Sequence, residues 1–295
     1  MSSAQKPQKT QKGWKSFLAG AVAGAVEGTV NYPFEFTKTR LQLVPKSSTM
    51  SRNPFVLMYK VVKGQGLGAL YVGCPIFVVG NTAKAGVRFL GFDSIKKLLV
   101  DEDGKLSGPR GVVAGLGAGL MESIFAVTPA ESLKTAMIDD RQLPHPKYQG
   151  VTGSVKLVKD LGLRGMYKGF LPVAMRQGAN QAVRMGTYSR IKGAIQQASG
   201  TPPDQPLSTG MTFLVGAFAG LVTVYTTMPI DTVKTRMQAL DARTRYSGTF
   251  NCFAKIFREE GLLAFWKGAT PRLGRLLLGG GIVFTTYEKM MTVLN

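Results

Sequence analysis

The pattern Pro-x-[Glu/Asp]-x-x-Lys-Thr occurs three times, at Pro33, Pro129 and Pro229, and each copy closes an apolar, glycine-rich run. Near-even spacing of three such copies restricts the chain to folds built from three like units. Two further echoes mark the same units. "GLGALYVG" (66–73), "GLRGMYKG" (162–169) and "GLLAFWKG" (261–268) share Gly-Leu, an aromatic and a closing Gly. "GFDSIKK" (91–97), "TYSRIKG" (187–193) and "TYEKMMT" (286–292) follow at a constant distance. Each unit therefore reads as a long apolar helix, a proline with acid and base, a short helix, a Gly-aromatic-Gly turn and a second long helix.

Residues 207–228 run for 22 positions without a charge, long enough to cross about 30 Å of hydrocarbon. The counterparts at 14–32 and 111–128 carry Glu27 and Glu122, with Lys15 at the start of the first. The second helices, near 74–100, 170–197 and 269–294, are more polar. Gly20, Gly24 and Gly28, Gly111, Gly115 and Gly119, and Gly216 and Gly220 have the small-xxx-small spacing that lets helices approach closely in lipid. "GLGAG" at 115–119 follows no strand, so it reads as helix packing rather than a dinucleotide loop. The expected architecture is an all-α membrane protein with six transmembrane helices in three pseudo-symmetric repeats, 14–100, 108–198 and 207–294, behind a basic tail, 1–13.

Lys and Arg exceed Asp and Glu by 20, which calls for an anionic partner. A nucleic-acid-binding protein would share that charge but has no use for long uncharged glycine-rich helices. No nucleophile–base pair or metal cluster is present: the sole histidine, His145, lies between prolines, and Cys74 and Cys252 are far apart. The chain therefore does not read as an enzyme, and no metal or other cofactor is implied.

Proline inside a helix removes a hydrogen bond and kinks the rod, so three equivalent kinks would draw three helices together at one end of a bundle. Just beyond each lie Glu35 and Lys38, Glu131 and Lys134, and Asp231 and Lys234, each acid and base three apart on one helix face. Charges at membrane depth face inward and pair. Under three-fold pseudo-symmetry each acid can meet the base of another unit, as Glu35–Lys134, Glu131–Lys234 and Asp231–Lys38. Such a ring would be a gate.

Over residues 14–294 these features resemble the mitochondrial carrier family, whose signature is this triplicated motif. The resemblance implies six membrane helices, three short matrix helices, and alternating access to one central cavity in the mitochondrial inner membrane. It also implies a matrix gate made of the charges above. The family's glutamine brace falls on Gln42 and Gln238, with Ile138 in its place in the second unit. Ala136 likewise replaces the second base that Arg40 and Arg236 supply. The family's cytoplasmic gate falls on Asp93 with Lys96, Ser189 with Lys192 and Glu288 with Met291. Paired as in the matrix ring, Asp93–Lys192 and Glu288–Lys96 remain, and Ser189 meets Met291 without stranding a charge. The Gly-aromatic-Gly turns resemble the family's cardiolipin sites. Gly73, Gly169 and Gly268 are the candidates, because amides exposed at a helix N-terminus can hold phosphate.

The second helices carry the substrate signal. Asn81, Lys84 and Arg88 share one face, Arg176, Asn180 and Arg184 another with Gln177 alongside, and Arg272 and Arg275 a third. Six cations on inward faces mark an anion pathway, and the arginine fork suits carboxylate. The bland alternative is that some of them pair with Glu27 or Glu122 or snorkel to the lipid surface. By resemblance the substrate-contact positions are Gly80 with Asn81, Arg176 with Gln177, and Arg275 with Leu276. Arg-Gln in the second unit resembles the family's carboxylate carriers. "GNTAKAGVRFLGFD", "MRQGANQAVRMG" and "TPRLGRLLLGGGIVF" resemble its fungal tricarboxylate branch. The resemblance implies citrate exchanged for malate or another citrate by a monomer, with a dicarboxylate, oxoglutarate or oxaloacetate carrier as the alternative. A two-pair outer gate predicts that Lys96→Ala slows transport more than Met291→Ala; equal rates in reconstituted vesicles would refute it.

Overall fold

The computed structural model describes residues 11–44, 51, 53–99, 115, 117–200, 202 and 207–294. Side chains are described from Ala19 onward, except at 85, 89, 92, 96, 97, 99, 151, 209, 243 and 294. Most of the expected basic tail, Gly111 and the Lys96 side chain lie outside these. Among the described residues there are helices and no strands. Helices Leu67–Ile95 and Gly210–Met237 are each long and apolar enough to cross a membrane. Beside its apolar core the protein buries charges and exposes large apolar side chains: Asp231 is 0% exposed and Phe213 73%.

The three prolines disturb their helices in three different ways. In the first unit helix Gln11–Val30 stops at Asn31, and Tyr32–Leu43 restarts with Pro33 in its first turn, where no amide is needed. In the second, a π-helical stretch, Ser123–Val127, runs into Thr128–Asp140. In the third, Pro229 sits inside the continuous helix Thr209–Met237. Proline cannot bond the carbonyl one turn back, and that carbonyl needs another donor in lipid. The Gly-aromatic-Gly turns supply it. Trp266 Nε1 donates to Tyr225 O, four residues before Pro229, at 3.0 Å. Tyr167 Oη donates to Ile124 O, five residues before Pro129 as π spacing requires, at 2.9 Å. In the first unit the tie runs the other way, from Tyr32 Oη to Val72 O at 2.6 Å.

The glycine that closes each turn has φ between +82° and +86°, a region that side chains disfavour. Each also lies against the lysine of another unit. A Cβ on Gly73 would stand 3.2 Å from Lys134 Cγ, on Gly169 3.7 Å from Lys234 O, and on Gly268 3.0 Å from Lys38 O. The units are thus fitted to one another in a closed cycle. Short helices Pro54–Gln65, Gly150–Met166 and Thr249–Glu260 lie across this end and seal it with apolar clusters. Leu57 and Val61 pack with Phe36 and Ile138, Leu157 with Met137, and Cys252 and Ile256 with Phe265. Both cysteines are free and buried, and burial pushes the Cys252 thiol up to about 12.

The small-xxx-small reading needs correction. A Cβ on Gly20, Gly24, Gly115, Gly119 or Gly216 would meet nothing within 4 Å. Of the described glycines in these runs, only Gly28, 3.5 Å from Phe77, and Gly220, 2.9 Å from Leu276, make close approaches. The others face open space, and Gly216 lines the central cavity. If the aromatic turns cap the freed carbonyls, Trp266→Phe leaves Tyr225 O unpaired and lowers stability by about 1–3 kcal/mol. Melting in detergent should show the loss, with exposed Tyr59→Phe unchanged.

Candidate functional site

Where the kinked helices converge, six charged side chains form one ring. Lys134 Nζ lies 2.8 Å from Glu35 Oε1, Lys234 Nζ 3.1 Å from Glu131 Oε2, and Lys38 Nζ 2.9 Å from Asp231 Oδ2. Longer contacts within a helix, Lys38–Glu35 at 3.4 Å and Lys234–Asp231 at 3.3 Å, join the three pairs into one chain running from Lys134 to Glu131. Shared partners matter here, because a buried ion repays its desolvation only when its remaining bonding capacity is filled.

The two glutamines behave differently. Gln42 Nε2 points at Asp231 Oδ2 (3.4 Å) and Thr232 Oγ1 (3.3 Å), while its Oε1 accepts from Thr235 Oγ1 at 2.8 Å. It lies directly on the Lys38–Asp231 pair. The brace expected from Gln238 is not formed: its Oε1 accepts from Thr135 Oγ1 at 3.3 Å, and its Nε2 has no hydrogen-bond partner among the described residues. The seam between the third and first units has a further tie that sequence reasoning passed over. Arg236 bonds Gln42 O, Val44 O and Glu260 Oε1, and Lys267 also meets Val44 O and Glu260. The signal was Glu260 at the end of a short helix, where the first unit has Gln65 and the second Leu161.

The arginines of the second helices rest on the ring's carboxylates. Arg275 Nη1 lies 2.8 Å from Glu35 Oε2, with its guanidinium 4.9 Å over the Phe77 ring and its Nε 3.5 Å from Glu27. Arg176 Nη2 lies 3.0 Å from Glu131 Oε1 and its Nε 3.5 Å from Asp231 Oδ1. Arg272 donates to Asn180 Oδ1 at 3.2 Å and Thr227 Oγ1 at 3.0 Å, and stands 4.0 Å from Asp231. A cavity of about 910 Å³ opens above, lined by Arg184, Asn180, Arg272 and Arg275 and reaching Phe284 and Tyr287. Asn81, Lys84 and Arg176 border a small recess of about 40 Å³ beside it. Lys84, Arg88 and Gln177 converge on Glu122. Glu27 and Glu122 thus do pair with cations of the second helices.

At the opposite end, the side chains of Asp93, Lys192 and Glu288 lie among the described residues, and Asp93 is not without a partner. The Glu288–Lys96 pairing involves a side chain outside them. On the outer surface, an apolar groove of about 700 Å³ lies between the first and second units, bordered by Tyr71, Gly73, Leu133, Tyr148, Gly150 and Arg141.

The site is thus a ring of buried ion pairs at one end of a triplicated helix bundle, below a cavity lined by arginines. The family model described as mitochondrial carrier protein matches residues 9–103, 104–199 and 205–295. The chain belongs to the mitochondrial carrier family, whose members are transporters rather than enzymes. It is 64% identical to the tricarboxylate transport protein of Saccharomyces cerevisiae over 95% of both chains. It is 47% identical to mitochondrial citrate transporter A of Aspergillus niger, over 95% of this chain and 92% of that one. Tricarboxylate transport protein B of Danio rerio is 38% identical over 95% of this chain and 88% of its own length.

Asp231 touches more cations than either other ring acid, and Asp231→Asn removes the shorter of the two carboxylate contacts of buried Lys38, at a cost of about 3–5 kcal/mol. Melting temperatures should fall further for Asp231→Asn than for Glu131→Gln, whose carboxylate is partly exposed.

Proposed function

We propose that this chain is a multi-pass antiporter of the mitochondrial inner membrane, exchanging citrate for malate or another citrate by alternating access. The observation that carries this reading is the contact of Arg176, Arg272 and Arg275 with the same carboxylates that the gate lysines hold. Substrate carboxylates entering the cavity compete with Glu35, Glu131 and Asp231 for these arginines. Each arginine drawn to substrate removes one partner from the ring, so binding weakens the closed matrix gate. A ligand shifts a conformational equilibrium only through such differential contacts.

Charge favours a multiply charged acid. Between the ring and the level of Arg88 and Arg184, nine cations stand against five carboxylates among the described residues, so a trianion comes close to neutralising the excess. The names of the relatives point to the same substrate class. In this reading the ring is the matrix gate, closed here with Gln42 as its brace, and Asp93, Lys96, Lys192 and Glu288 form the cytoplasmic gate. Asn81, Lys84, Arg88, Gln177, Asn180 and Arg184 complete the substrate path. Cardiolipin headgroups meet the turn amides at Gly73, Gly169 and Gly268, with acyl chains in grooves such as that beside Tyr71. A cavity built from the three units of one chain works as a monomer.

Labelled citrate uptake into vesicles preloaded with malate, citrate, oxoglutarate, ADP or nothing tests the proposal. Uptake should require internal citrate or malate and fall at least about 100-fold in Arg176→Ala, as expected for a lost charge-assisted contact with a buried carboxylate. Uptake of oxoglutarate or a small dicarboxylate without citrate would overturn the substrate assignment.

A further inference from the structure

Glu122 is 1% exposed, on the helix that enters the second unit, immediately before the π-helical stretch Ser123–Val127. Its Oε1 accepts from Gln177 Nε2 at 2.9 Å and lies 3.4 Å from Lys84 Nζ, and its Oε2 lies 3.8 Å from Arg88 Nε. One carboxylate therefore gathers three side chains from two different helices. The side chains of Lys84 and Arg88 are 38% and 54% exposed, so their outer faces remain open to an anion while Glu122 stays behind them.

The position is not unique to the second unit. Glu122 precedes its proline by seven residues and Glu27 by six, and the π stretch accounts for the extra residue. Glu27 likewise meets a cation of another unit, its Oε1 lying 3.5 Å from Arg275 Nε. The third unit has Thr223 there, which bonds its own helix at Ala219 O. Two carboxylates thus back the cationic cavity without belonging to the ring.

We propose that Glu122 is a specificity-determining positioning residue: a backing carboxylate that fixes Lys84, Arg88 and Gln177 in place and cancels one of the two positive charges that substrate meets there. The proposal rests on the carboxylate-exchange reading above. Its consequence follows from electrostatics. Removing one fixed negative charge favours a trianion over a dianion by one additional charge–charge interaction, and the tighter hold retards release. Glu122 therefore limits discrimination, so that acids of different charge can use one path in opposite directions.

The test is exchange kinetics in reconstituted vesicles for wild type, Glu122→Gln and Glu122→Asp, with citrate and malate each as external substrate against the same internal citrate. In Glu122→Gln the ratio of citrate KM to malate KM should fall by at least about threefold, with kcat for citrate reduced. Glu122→Asp, which keeps the charge, should return the ratio to the wild-type value. An unchanged ratio in Glu122→Gln, or equal shifts in both substitutions, would overturn the inference and leave a packing role. Absence of citrate exchange in wild type would instead overturn the reading beneath it. If Glu122→Gln does not reconstitute, the concentrations of citrate and tricarballylate, against malate and succinate, that half-stabilise the detergent-solubilised protein to heat give the same ratio. No shift between trianions and dianions there would also refute the inference.

Discussion

An ion buried at membrane depth must find its partner inside the protein, and here each of the three ring lysines makes its shortest contact across a unit boundary. That requirement organises the bundle. Lys38, Lys134 and Lys234 reach carboxylates 193, 99 and 103 residues away in the chain, so none can be satisfied by its own unit alone. The prolines bring these helix segments together, the aromatic turns of the second and third units repair the carbonyls that proline strands, and the short helices cover the ring with apolar side chains. Charge pairing, backbone repair and apolar sealing thus act at the same level of the molecule.

The ring is three-fold in outline but not in strength. At the join of the third and first units, Gln42 lies on the ion pair while Arg236 and Lys267 hold the end of helix Tyr32–Leu43 through Val44 O and Glu260. At the join of the first and second, Arg40 is buried over Phe36, and its Nε and Nη1 find no hydrogen-bond partner among the described residues. The second unit carries Ala136 and Ile138 where a base and glutamine stand elsewhere. Differences of a few side chains therefore distribute the closing interactions unevenly around one pseudo-symmetric frame.

Triplication made the architecture readable from sequence, because an acid and base three residues apart, repeated after each proline, leave few ways to pair three helices. The side chains of Arg176, Arg272 and Arg275 were identifiable as cavity cations from helical spacing. Their simultaneous hold on the ring acids was not, since spacing within one helix says nothing about the depth at which two helices cross. Gln238 illustrates the same limit: its position matches that of Gln42, yet the third unit presents it to Thr135 rather than to an ion pair. The glycines of the first helices misled for a related reason. Small residues permit close approach, but Gly20 and Gly216 have no neighbour to approach. Glu122 was visible as a charge in an apolar run, whereas its three partners depend on a π-helical register that the local sequence does not announce.

The turn glycines set the number of units. Gly73 is shaped to Lys134, Gly169 to Lys234 and Gly268 to Lys38, so the last turn docks on the first helix. A single unit made alone would expose a lysine-fitted turn and an unclaimed lysine, and two would still leave one of each at the open edges. Three units close the circle and leave no such edge.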